Sequence, residues 1–234
     1  MWSGPRNIST ALMRSWGNRG DTFVCDEPLY AHYLHETRVD HPGRDEVLEA
    51  QDSDWRRVVA RLTGDIPNGK TVFYQKHMAH HLLPNIGREW LGALRHAFLI
   101  RDPGEMLTSL IRVTPEPGLA DTGLPQQWEL FEKVRADTQT TPPVIDARDV
   151  LEDPRGVLER LCSSLGVPFD EAMLSWPSGP RDTDGVWGKY WYHNVWRSTG
   201  FEPYRAKPDA VPERLRAVHE QCLSFYQRLR QHRL

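Results

Sequence analysis

Ser3-Gly4-Pro5-Arg6-Asn7-Ile8-Ser9-Thr10 runs straight into Ala11-Leu12-Met13-Arg14-Ser15-Trp16, and the reading of this junction decides the fold. A loop of small and polar residues ahead of an amphipathic helix turns backbone N–H groups toward an anion, and the helix N-terminus adds partial positive charge. Ser9 and Thr10 bring hydroxyl donors, and Arg6 brings a planar fixed charge. An ordinary Ser/Thr helix cap uses the same residue types. The triphosphate-binding form of such a loop, GxxxxGK[ST], needs a second Gly and a Lys. Here Gly4 is followed by Ser9 and Thr10 with no Lys between, which counts against magnesium-nucleotide chemistry. Only Met1 and Trp2 precede Ser3, so the strand leading into the loop is expected to be very short, or to continue in residues upstream of Met1.

Working outward, short apolar runs alternate with helical patterns. The runs Phe23-Val24-Cys25, Val72-Phe73-Tyr74, Ala97-Phe98-Leu99-Ile100 and Val144-Ile145 read as strands buried on both faces. Helices are expected over Ser9–Asn18, Pro28–His35, Arg44–Ala50, Asp54–Leu62, Pro103–Arg112, Pro125–Thr138, Pro154–Leu165 and Pro212–Arg233, several with Pro at the first helical position. This alternation predicts an α/β fold on a parallel sheet. Val113–Gly123 and the aromatic-rich Pro177–Tyr204 lack either periodicity and read as loops.

At 234 residues the chain reads as one domain, 1–234. With 29 Lys+Arg against 32 Asp+Glu there is no global positive field to hold a nucleic-acid backbone, so an anion site must be local. Cys25, Cys162 and Cys222 form no paired framework, which points to a reducing, cytoplasmic setting. No run approaches the length of a membrane span and no export signal is visible.

The run Pro5-Arg6-Asn7-Ile8-Ser9-Thr10-Ala11-Leu12 resembles the phosphosulfate loop of sulfotransferases, usually P-[RK]-S-G-[ST]-T-x-L. Three further segments follow in the family's order. Asp26-Glu27-Pro28-Leu29 is similar to an E-P-[LF] motif of bacterial members. Phe98-Leu99-Ile100-Arg101-Asp102-Pro103, with Ser109 on the next helix, resembles the element that binds a 3′-phosphate. Asp149-Val150-Leu151-Glu152-Asp153-Pro154, with Leu161-Cys162 and Leu165-Gly166-Val167-Pro168 after it, resembles the D-L-x-x-D-P…L-C-x-x-L-G-x-P stretch. The resemblance implies a three-layer α/β/α sandwich with a central parallel sheet. It also implies sulfuryl transfer from 3′-phosphoadenosine 5′-phosphosulfate (PAPS) to the hydroxyl of a small-molecule acceptor, without a metal. Sulfuryl transfer, like phosphoryl transfer, depends on positioning and electrostatics.

On that resemblance Arg6 neutralises charge on the departing phosphate, Asn7, Ser9 and Thr10 bind the 5′-phosphosulfate, and Arg101 and Ser109 bind the 3′-phosphate, with Arg112 one turn away to assist. Ile8 replaces the loop Gly, and a β-branched residue does not take positive φ cheaply, which leaves the loop geometry open there. Glu27 is the family-matched general base, with Asp26 a neighbouring carboxylate and His77 the rival. Lys76, at a strand end, is expected to touch the sulfuryl group or the acceptor. His77, His80 and His81, with His32 or His35, allow a metal reading, but no acid or Cys at ligand spacing completes it, and none is assigned. The segment 177–204 is expected to cover the cofactor, with Lys189 and Arg197 as phosphate contacts. Two other readings stand beside this one: a P-loop kinase or nucleotide hydrolase, and a non-catalytic domain that binds 3′-phosphoadenosine 5′-phosphate. Acceptor identity and oligomeric state are not legible.

Overall fold

The computed structural model describes residues 1–206 and 209–234. Its strands are β1 (Trp2–Ser3), β2 (Thr22–Asp26), β3 (Val72–Met78), β4 (Phe98–Ile100) and β5 (Val144–Asp146). Its α-helices are α1 (Ser9–Gly17), α2 (Tyr30–Thr37), α3 (Arg44–Ala50), α4 (Trp55–Leu62), α5 (Pro103–Leu110), α6 (Leu124–Thr138), α7 (Ala147–Glu152), α8 (Pro154–Leu165), α9 (Gly188–Trp191), α10 (His193–Arg197) and α11 (Arg216–Arg230). The chain divides into two compact units.

The first unit comprises Met1–Ile8, Arg95–Phe169 and Glu202–Leu234. Here β4 pairs in parallel with β1 on one side (Trp2 opposite Phe98) and with β5 on the other (Leu99 opposite Ile145). Phe98, Leu99 and Ile100 are fully buried, as an unbroken apolar run in a parallel sheet requires. Phe131 of α6 meets Phe98 edge-to-face at 5.7 Å. Asp102 and Pro103 start α5 as the sequence suggested: the Asp102 carboxylate accepts from the Glu105 N–H at 3.1 Å, and Pro occupies the first helical position.

The second unit comprises Ser9–Leu94 and Asp170–Phe201. Its strands β2 and β3 are parallel over five residue pairs, ending with Asp26 opposite Lys76. Helix α1 packs on them, Trp16 stacking on Tyr74 at 5.3 Å. Strand alternation sends Gln75 to the other face, where its amide donates to the Leu62 carbonyl at the end of α4. Tyr30, Leu34, Val47, Trp187 and Tyr192 form an apolar cluster in this unit.

The parallel α/β class expected from the sequence is the one found. The differences are local and have reasons. Helix α2 begins at Tyr30 rather than Pro28, because the Tyr30 N–H turns back to the Glu27 carbonyl (3.0 Å). The long last helix is a short 3₁₀ turn, Glu213–Leu215, followed by α11. Helix α7 went unread; it is capped by Asp146, which accepts from the Arg148 N–H. Segment 177–204, expected as irregular, contains α9 and α10 and is pinned by buried groups: Arg14 meets Asp184 through two contacts of 2.6 and 2.7 Å, and the Trp196 indole donates to the same carboxylate. Among the described residues no helix is long and apolar enough to cross a membrane.

Candidate active site

The first unit gathers the residues expected to hold phosphate. Its loop starts at Gly4, where a Cβ would lie 2.3 Å from the Thr122 carbonyl oxygen, so only glycine lets the chain pass. Gln127 of α6 braces the loop, its amide turned so that the oxygen accepts from the Gly4 N–H (3.0 Å) and the nitrogen donates to the Leu99 carbonyl (3.1 Å). Arg6 then takes a left-handed conformation, φ 57°. Ile8 does not, so its β-branched side chain is spared a backbone conformation it would resist. A non-glycine residue held there stores strain, and such strain concentrates at ligand sites.

Arg6, Arg101 and Ser109 converge although the last two lie far along the chain. The Arg6 guanidinium donates to the Ser109 hydroxyl at 3.0 Å, and Arg101 Nη1 donates to the Arg6 carbonyl at 2.7 Å. Burial lowers the Arg6 pKa, and the charges of Arg101 and Arg112 lower it further. Clustered cations of this kind favour an anion. Arg101 is also gripped by Glu105 through Nε and Nη2, at 3.1 and 2.9 Å. Beside it opens a cavity of about 570 Å³ whose walls include Arg101, Glu105, Asp146, Arg148, Tyr204 and Tyr226. Asn7 donates one of its two amide protons to the Leu99 carbonyl at 3.3 Å.

The second unit holds the remaining candidates. Ser9 and Thr10 open α1, Ser9 being buried. Lys76 is buried at the end of β3, and its three ammonium protons are all taken, by Asp26 Oδ1 (2.8 Å), Glu27 Oε1 (2.6 Å) and the Tyr192 hydroxyl (2.8 Å). Tyr192 in turn donates to Asp26 Oδ2 at 2.7 Å and accepts from the Trp187 indole at 3.0 Å. Burial works against the Lys76 charge, but Asp26 and Glu27 overcome it and hold its pKa well above the usual value. Glu27 moves the other way for an acid. Burial raises its pKa against the pull of Lys76, and the Asp26 charge adds to the rise, because one cation serves two carboxylates. Glu27 is also in the left-handed region, φ 41°. Its Oε2 stands 3.9 Å from His81 Nδ1, beyond hydrogen-bond reach.

His77 is not brought to this cluster. Alternation along β3 places it on the face opposite Lys76, with Gln75 at 3.2 Å and the Trp90 ring at 6.0 Å. His81 is stacked between Tyr30 and Tyr33, each ring centroid 4.7 Å away, and burial holds it neutral with a pKa well below the usual. Lys189 is half-exposed and paired with Glu46 of α3 at 2.6 Å, and Arg197 donates to Asn194. Sequence reasoning missed Tyr192, Gln127 and Glu105 as members of these clusters. Tyr192 stood inside the aromatic segment already singled out, but no spacing rule ties it to a lysine 116 positions earlier.

A family profile described as "Sulfotransferase domain" matches residues 1–232. The chain is 36% and 38% identical over 231 residues to two Arabidopsis thaliana proteins named branched-chain-amino-acid aminotransferase-like protein 2 and protein 1. The match covers 99% of this chain and 41% of each relative, so the chain spans about two fifths of their length. Among solved structures it is similar to the sulfotransferase domain of the Synechococcus PCC 7002 olefin synthase (TM-score 0.54, 20% identity, covering 94% of this chain and 92% of that one). It is also similar to the sulfotransferase domain of the curacin biosynthetic pathway (TM-score 0.51, 16% identity, 95% of each chain). At these identities the two structures speak to the fold.

Proposed function

Because the chain belongs to the sulfotransferase-domain family, we propose that it transfers a sulfuryl group from PAPS to a hydroxyl of a small-molecule acceptor. The observation that carries this reading is the convergence of Arg6, Arg101 and Ser109 around a strained loop that leads into α1. A cluster of cations with a hydroxyl suits a phosphate-bearing nucleotide, and a donor with a 3′-phosphate gives Arg101 and Ser109 an anion that ATP lacks. The neighbouring cavity of about 570 Å³ has room for the nucleoside. Ser9 and Thr10 add hydroxyls at the helix start, which suits the 5′-phosphosulfate.

In the transfer, the acceptor oxygen forms a bond to sulfur while the bond between sulfur and the bridging phosphate oxygen breaks. The hydroxyl proton passes to Glu27 Oε2, and Arg6 stabilises the charge left on the phosphate. Lys76 holds Glu27 Oε1 through its ammonium and so fixes the orientation of Oε2. Its protons are committed, so a direct contact of Lys76 with the sulfuryl group requires that one of the three bonds opens. The reading includes no metal and no nucleic-acid partner. It places the protein in the cytoplasm, where Cys25, Cys162 and Cys222, which form no disulfide here, stay reduced.

The test is calorimetric titration with 3′-phosphoadenosine 5′-phosphate and, separately, with ATP and magnesium. Binding of the first alone, weakened by Arg101→Ala and Ser109→Ala, is the expected result. Preference for ATP overturns the reading, and tight binding of the first without donor turnover against a broad set of alcohols and phenols makes the domain a non-catalytic binder.

A further inference from the structure

Three of the five N–H groups of Arg101 are engaged, and its Nε–Nη2 edge, one of the two that can grip an oxyanion through paired bonds, is already filled. Nη1 donates one of its two protons to the Arg6 carbonyl at 2.7 Å, which holds that nitrogen on the loop, and the Nε–Nη2 edge faces Glu105. Both donate to one oxygen of Glu105, at 3.1 and 2.9 Å. The other oxygen, Oε1, accepts from the Tyr204 hydroxyl at 2.5 Å, so the carboxylate is aimed at Arg101 from a fixed position. Arg101, just ahead of α5, and Glu105, in its first turn, are four positions apart and equally exposed, 16% each. Both line the cavity of about 570 Å³, so the pair faces the space a nucleotide would enter.

A carboxylate and a phosphate cannot share those two N–H groups, because two anions at hydrogen-bond distance from one guanidinium edge repel each other at close range. We infer that Glu105 occupies the place of the nucleotide's 3′-phosphate on Arg101 and must swing away when the nucleotide binds, which lowers affinity and speeds release of the spent nucleotide. This rests on the nucleotide reading given above. Closing behind the departing product, Glu105 returns to Arg101, so the site resets without leaving a half-buried cation bare.

The effect is read by titrating wild type, Glu105→Gln and Arg101→Ala with 3′-phosphoadenosine 5′-phosphate and with adenosine 5′-phosphate, which has no 3′-phosphate. Removing the competing charge is expected to tighten the first nucleotide roughly three- to tenfold, the range of a partly exposed ion pair, and to slow its dissociation by a similar factor. Adenosine 5′-phosphate, which does not call on Arg101, is expected to bind both proteins within about twofold. Tyr204→Phe, which loosens Glu105 without removing it, is expected to move affinity in the same direction by less. If Arg101→Ala weakens the 3′-phosphorylated nucleotide but Glu105→Gln leaves it unchanged or weakens it, the inference alone fails and Glu105 is a binding contact. Equal tightening of both nucleotides also overturns it, as a general effect of charge. If Arg101→Ala has no effect, or neither nucleotide binds, the nucleotide reading itself falls and this inference with it.

Discussion

Glu27 and Lys76 are bonded to each other twice: the Glu27 backbone N–H donates to the Lys76 carbonyl at 2.9 Å, and the Lys76 ammonium donates to the Glu27 carboxylate at 2.6 Å. The backbone bond continues the β2–β3 ladder one residue past the end of β2, and the side-chain bond then fixes where the carboxylate points. A residue with φ 41° is kept in place by both.

Glu27→Gln should therefore separate activity from stability. As general base Glu27 is expected to contribute on the order of 10²- to 10⁴-fold to kcat, a loss read by steady-state sulfuryl transfer. Its folded-state pKa is raised, so the native protein favours the protonated form, and the stability this group contributes is present at low pH and fades as pH rises through the raised value. The Gln variant is expected to equal or exceed wild type in denaturant midpoint at pH 8 while staying inactive. A large drop in midpoint at that pH would show that the Glu27 charge stabilises the fold.

The same shift sets the pH profile. The acid limb of kcat/KM should lie above the usual carboxylate range, because Glu27 must lose its proton before it can accept one. In Tyr192→Phe the hydroxyl that donates to Asp26 is gone, and the Asp26 charge bears more heavily on its neighbours. The limb is expected to shift in this variant, whereas a purely structural role would lower activity at every pH alike.

Lys76→Met leaves two buried carboxylates without their cation, and breaking a buried ion pair from one side costs about 3–5 kcal/mol. Chemical denaturation should show this loss. The double variant Lys76→Met with Asp26→Asn should recover part of it, since one uncompensated charge is removed with the cation.

Gly4→Ala places a methyl group 2.3 Å from a backbone oxygen that has no rotamer by which to yield. Overpacking of this kind costs about 1–3 kcal/mol. Because the loop must move to relieve it, nucleotide affinity should fall as well, whereas Gly20→Ala, with open space around its Cβ position, should leave affinity unchanged.

What the sequence made legible follows from how local each signal is. The helix that opens at Ser9, the Asp102-Pro103 helix start and the buried β4 run are contiguous patterns, and each is found where it was expected. The bond from Arg6 to Ser109 was not legible even with the ordered resemblance, which assigns the two to different phosphates, because nothing in either segment names the other. His77 offers an imidazole suited to a general base, but its place next to Lys76 on β3 sends the two side chains to opposite faces. The sequence offers Asn7 as a donor to the ligand, and one proton of its amide goes to the Leu99 carbonyl, a bond no local pattern shows. Glu105 and Tyr204, 99 positions apart, were invisible as a pair because each is an ordinary residue until the fold aligns them.

The three-way bonding of Lys76 bears on how this sequence is free to diverge. Asp26, Lys76 and Tyr192 lie 50 and 116 positions apart, yet each ammonium proton and three of the four carboxylate oxygens depend on the others being present. A descendant that loses the tyrosine leaves an ammonium proton without a partner and Asp26 Oδ2 with only the longer 3.3 Å bond from the Gly185 N–H, and the simplest repair is to lose a carboxylate too. These positions should therefore drift as a linked character, changing together or not at all, while the exposed turns around them vary one residue at a time.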